Sequence, residues 1–187
     1  VNYPALFDLA GDVDFFERHG SQAQQNELGV KRKPDTSEAA LLGMRQAISA
    51  FYQRELQCGD GSVAYVLERS PDVYLLTVHV KDLAMLRLEF EGSNLTRRVG
   101  NPNIHMVLEY SAKTGVARSL VKGGVKYHTM LLEAFSEHLL GVKVEAHRIK
   151  PPTLDLSALR LGFDVPQALT TDGFMAVQVK TLSLLSP

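Results

Sequence analysis

The chain carries one cysteine, Cys58, and no tryptophan in its 187 residues. A single thiol forms no internal disulfide, and a secreted chain of this length more often carries several, so the composition reads as that of a reducing compartment, the cytoplasm. Charge of one sign is missing too. With 20 Lys and Arg against 21 Asp and Glu, the formal net charge is −1, so no whole-molecule positive field draws in nucleic acid or an acidic membrane. Any such binding has to come from a local patch. Long apolar runs are also lacking: stretches such as Val73 to Val80 fall far short of the roughly 20 residues that span a bilayer. No basic, apolar leader opens the chain, so no membrane partner is expected. The start at Val1 and the stop at Pro187, directly after an apolar run, read as the ends of a piece of something longer.

Motifs that announce chemistry are missing as well. Neither GxGxxG nor GxxxxGK[ST] is present, which removes the usual glycine-rich phosphate cradles, and no cofactor is expected. Without a GxSxG elbow there is no marked nucleophilic serine. Cys58 follows a helical pattern rather than preceding one, so no helix N-terminus lowers its pKa, and a buried thiol is the expectation. His105, His128, His138 and His147 stand in no HxxxH or HExxH pair, and the lone cysteine excludes the common structural zinc sets; no metal site is expected. No catalytic residue is assigned.

Hydrophobic residues make up 45% and charged residues 22% of the chain, the ordinary usage of a folded domain. Residues 1–19 predict a short amphipathic N-terminal helix through Leu6, Leu9, Val13 and Phe16. Residues 20–36 turn polar, lose apolar periodicity and contain Lys31-Arg32-Lys33-Pro34, which predicts a flexible linker. Residues 37–187 are expected to form one core. It opens with a helix over about 37–56, where Asp35 can cap and Leu41, Met44, Ile48 and Phe51 share a face. Beyond Gly61 the period changes to two. Val63 to Arg69 and Val73 to Val80, around Ser70-Pro71-Asp72, predict a hairpin. Leu86, Leu88 and Phe90 alternate with Arg87, Glu89 and Glu91 as in a strand with one face in the core, so Leu88 and Phe90 are expected to be buried in a central strand. Weaker runs over 95–99, 104–110 and 116–121 complete an antiparallel meander of four to six strands, covered by a helix over 125–140. A further strand over 142–149, a helical turn near 155–161 and strands over 174–185 close the chain. The fold class is α+β.

Three features remain as candidate sites. Gly123-Gly124 before a helix, flanked by Lys122 and Lys126, can present backbone N–H groups and a positive dipole end to an anion; the plain alternative is that the glycines serve turn geometry alone. Lys31, Arg32 and Lys33, with Arg97 and Arg98 in a loop beside Asn94, Asn101 and Asn103, can track phosphates, although no exposed aromatics interleave with them to stack bases. The acid pairs Glu89/Glu91 and Glu133/Glu137 have the spacing to coordinate a hydrated cation, or simply to line solvated faces. The expected function is a non-enzymatic binding or regulatory module of a larger intracellular protein, engaging a protein partner through a sheet edge or the groove between helix and sheet. A nucleic-acid-binding domain using the basic loops is the alternative, and a metal-assisted hydrolase the third reading.

Overall fold

The computed structural model describes residues 3–150. The elements in chain order are α1 (Tyr3–His19), β1 (Gln24–Glu27), α2 (Glu38–Leu56), β2 (Ser62–Ser70), β3 (Val73–Lys81), β4 (Met85–Glu91), β5 (Asn94–Gly100), β6 (Asn103–Ser111), β7 (Val116–Val121), α3 (Val125–His138) and β8 (His147–Arg148). Six strands form one sheet in the order β2-β3-β6-β7-β1-β8, while β4 and β5 pair only with each other. Every pairing is antiparallel. The class is α+β.

The sheet has a covered face on each side because its central strands alternate. Tyr74, Leu76, Val78 and Val80 of β3 lie opposite Tyr110, Leu108, Met106 and Ile104 of β6. This row packs with Met44, Ile48, Phe51 and Tyr52 of α2 and Met130, Leu131 and Phe135 of α3 in the main core. The intervening residues point the other way, and there Leu75 and Val107 meet Phe16 of α1 in a second, much smaller apolar cluster. Val13, Phe15 and Leu120 pack against this cluster, and polar contacts add to it. The Glu109 carboxylate accepts from Arg69 Nη1 at 2.7 Å and from Arg118 Nη1 at 2.9 Å. Arg69 also pairs with Glu17 on α1, and Arg118 Nη2 donates to the Gly20 carbonyl at 2.8 Å.

Helix α2 starts at Ser37, whose hydroxyl accepts from the Ala40 N–H at 3.3 Å, while Asp35 accepts from the Ser37 N–H at 2.9 Å. The cap is thus two residues later than the sequence suggests, with Asp35 supporting it. The helix ends through Gln57 in a left-handed conformation. Gly59 follows at φ +88, where a Cβ would meet Tyr52 at 2.9 Å, so the chain can turn into β2 only with glycine there.

The linker expectation for residues 20–36 is corrected. Strand β1 pairs with β7 and β8, Leu28 is buried, and its N–H donates to the Gly115 carbonyl at 2.9 Å. The Tyr110 hydroxyl lies 2.8 Å from the Val30 carbonyl, to which it donates, and the Asp35 N–H donates to the Leu139 carbonyl at 2.7 Å. Main-chain groups hold this segment, and they leave no period in the side chains for a sequence reading to find. The strand expected over 142–149 reduces to the two residues of β8. The chain divides after Lys150, and residues 3–36 belong with 37–150 in one unit. The helical turn and strands expected beyond that point lie outside the described residues.

Candidate functional site

Strands β4 and β5 form an arm that leaves the sheet between β3 and β6. Its departure is built from backbone chemistry. The β3–β6 ladder closes on Lys81 opposite Asn103, and the β4–β5 ladder opens on Met85 opposite Gly100. Three residues, 82–84, therefore oppose two, 101–102, which is a bulge, and bulges bend and twist the strand pair that carries them. Pro102 has no N–H to extend the ladder. The last rung is the Asp82 N–H donating to the Pro102 carbonyl at 2.8 Å, backed by Asn101 Nδ2 on the Asp82 carbonyl at 3.1 Å.

The arm is amphipathic. Register places Leu86 opposite Val99, Leu88 opposite Arg97 and Phe90 opposite Leu95 on one face, and Arg87 opposite Arg98, Glu89 opposite Thr96 and Glu91 opposite Asn94 on the other. Arg98 pairs with Glu91 on the polar face. Nothing among the described residues covers the apolar face: Phe90 is 76% exposed and Val99 75%. The expectation that Leu88 and Phe90 lie in a central strand is thereby corrected. Alternation shows that one face of a strand is apolar, but not that anything of the same unit packs on it. Patches of this kind mark interaction surfaces more often than a scattered leucine does.

A cleft of about 230 Å³ opens at the base of the arm, lined by Gln53, Gln57, Cys58, Lys81, Asp82 and Asn101 among others. Burial pushes the Cys58 thiol above its ordinary value, and Asp82 adds to the effect. Cys58 is therefore a protonated, weakly nucleophilic thiol at neutral pH.

The glycine turn before α3 holds Gly123 at φ +131, where a Cβ would lie 2.5 Å from the Tyr127 ring, whereas Gly124 is the N-cap at φ −89 with no side chain capping the helix. Lys126 is drawn away from the turn, pairing with Glu55 and lying 5.6 Å from the centre of the Phe51 ring. Lys122 makes no ion pair among the described residues. The two basic clusters are not brought together. Lys33 sits by Asp72 at the start of β3, 3.4 Å from that carboxylate, whereas Arg97 and Arg98 are on the arm beyond the far end of β3. The nine residues of β3 put roughly 30 Å between these ends. Lys31 and Arg32 stay with Lys33, the Arg32 N–H lying 3.5 Å from the Tyr110 hydroxyl. Glu133 and Glu137 are exposed on α3, with Glu137 3.3 Å from Lys143.

Among the histidines, His128 Nδ1 lies 2.8 Å from the buried Ser119 hydroxyl, and burial lowers its pKa below the ordinary value. His138 packs on Gly43 between α2 and α3, and His147 is exposed in β8. His105 has a different setting. It stands opposite His79 on the α1 face of the sheet, and both imidazoles lie 3.2 Å from the Asp12 carboxylate. Among the described residues this is the only group of three or more potential metal ligands with converging atoms, all within 4.8 Å of one another. Sequence reading missed His79 and Asp12. The available signal was that both histidines occupy the same alternation phase in strands that pair, which becomes visible only once the register is known. No family model and no curated protein sequence matches the chain.

Proposed function

We propose that the chain is a non-enzymatic binding module that docks onto a protein partner through the apolar face of the β4–β5 arm. The observation that carries the reading is the five-residue apolar row of Leu86, Leu88, Phe90, Leu95 and Val99, presented on a two-stranded arm with no cover among the described residues. A two-stranded ribbon is at best marginally stable alone in water, so a partner that buries this face also holds the arm in shape. The partner's chemistry follows from the face: an apolar groove, with acidic groups at its border to meet Arg97.

A specific feature favours a second reading. Arg87, Arg97 and Arg98 outnumber Glu89 and Glu91 on the arm, and Arg87 stands directly opposite Arg98, an arrangement relieved by an anionic partner such as nucleic acid.

A photo-crosslinking residue placed at Leu95 on the apolar face, or at Thr96 on the polar face, separates these readings in the cells that make the protein. A discrete protein adduct from position 95, absent from position 96 and lost on Leu88→Asp with Phe90→Asp, supports protein docking. A nucleic-acid adduct from either position, with binding that weakens steeply as salt rises, would replace it by the second reading. An adduct equal to twice the chain mass would make the partner a second copy. Equal, unspecific adducts from both faces would remove the arm as an interface.

A further inference from the structure

Beneath α1, three side chains from three elements converge without a motif in the sequence to announce them. Asp12 lies one helical turn before Phe16, the apolar anchor of α1, and is itself buried. His79 of β3 and His105 of β6 are directly opposed in the sheet, and their rings stack with centroids 4.4 Å apart and planes 4° apart. The Phe15 ring covers His105 at 4.7 Å. His79 Nε2 lies 3.2 Å from Asp12 Oδ2, and His105 Nε2 lies 3.2 Å from Asp12 Oδ1.

The His105 contact is close in distance yet poor in direction. Its Nε2 is buried and has no hydrogen-bond partner. A buried ring nitrogen without a partner carries the cost of desolvation with nothing in return, and as a bare lone pair beside a carboxylate oxygen it is repelled. A cation between the two groups removes both penalties. The spacing suits one. Nitrogen and oxygen ligands about 2.0–2.1 Å from a tetrahedral ion are about 3.3 Å apart, close to the 3.2 Å between each imidazole and its own oxygen of Asp12, while the ligand atoms as a set lie within 4.8 Å of one another and draw together on binding.

We propose that Asp12, His79 and His105 form a three-ligand site for a single divalent transition-metal ion, two imidazoles and one carboxylate being a donor set that zinc and ferrous iron both take. Magnesium and calcium favour all-oxygen sets, and monovalent copper favours sulfur, of which the site has none. Ligation tilts the two parallel rings toward a common point and requires the His79 proton to reside on Nδ1. The Asn103 amide nitrogen lies 2.6 Å from that atom, so on metal binding the amide must turn over to bring its oxygen there as the acceptor, the usual outer support of a metal-bound histidine. The ion joins α1 to two central strands.

The test uses the full chain, stripped with a chelator and titrated with Zn²⁺ by calorimetry and with Co²⁺ by visible absorption. One ion per chain and the absorption bands of tetrahedral cobalt are expected. Both are lost in Asp12→Asn and in His79→Gln and kept in His128→Gln and His147→Gln, while Asn103→Ala weakens binding about 10–100-fold. Should Asp12→Asn fail to fold by near-ultraviolet circular dichroism, histidine ring resonances of the wild type decide instead: those of His79 and His105 must shift in step with the first equivalent of zinc. No uptake at micromolar zinc would leave a carboxylate–imidazole ion pair and overturn the site. Uptake that survives His79→Gln, or that disappears in His147→Gln, would overturn it equally.

Discussion

Phe90 and Leu108 show at the scale of a single residue how the same alternation leads to opposite energetics. Leu108 sits in a row covered by α2 and α3 and has no exposed surface, whereas Phe90 repeats the pattern on an arm and keeps three-quarters of its surface in water. Truncating Leu108 to alanine removes buried methyl groups and leaves a cavity, an expected cost of about 2–5 kcal/mol. Phe90→Ala removes little that folding had buried and should stay within about 0.5 kcal/mol of wild type. Urea unfolding of the two variants checks this, and a Phe90→Ala loss as large as that of Leu108→Ala would place the arm in the core after all. The same distinction applies to the charged residues. Arg69 and Arg118 converge on one carboxylate of Glu109 under α1, and the ion pair of Arg98 with Glu91 is exposed on the arm, where such pairs contribute little.

At the scale of elements, the arm and the sheet are separable because each ladder closes on itself. The β3–β6 pairing runs unbroken from Val73 opposite Ser111 to Lys81 opposite Asn103, with no rung contributed by β4 or β5. Excising residues 84–100 and joining the ends through a short glycine-containing turn should therefore leave a cooperative unfolding transition and an unchanged near-ultraviolet spectrum. A molten or aggregated product would show instead that the arm completes the core. Helix α1 is held differently from α2 and α3. Among its described residues the apolar cluster is small, and carboxylates, guanidinium groups and imidazoles add polar contacts with the sheet. A layer built this way responds to charge and to cations, which a purely apolar layer does not.

For the whole molecule, buried imidazoles tie stability to pH. Burial, with Arg148 adding to it, holds the His128 pKa in the folded state below its ordinary value. The unfolded chain then binds the proton more readily than the folded one. The neutral ring's contribution is fully present above about pH 6.5, the unfolded histidine value, and is lost as pH falls from there toward the lower folded value. The stability gap between wild type and His128→Gln should thus narrow between pH 7.5 and pH 5, measured by urea unfolding at each pH; a constant or widening gap would mean that His128 is not held neutral by burial. The α+β class, the bounds of α2, β3 and α3, and the hairpin around Pro71 were all legible in the chain, because hydrophobic period and turn residues act over a few neighbours. Three things were not. Residues 24–27 became a strand through backbone pairing that leaves no side-chain signature. The amphipathic row of β4 was left uncovered because cover is a property of what packs on a face, not of the face. Asp12, His79 and His105 met because strand register and the docking of α1 brought together residues 67 and 26 positions apart. Local periodicity fixes which way a side chain points, and only the tertiary arrangement decides what it meets there.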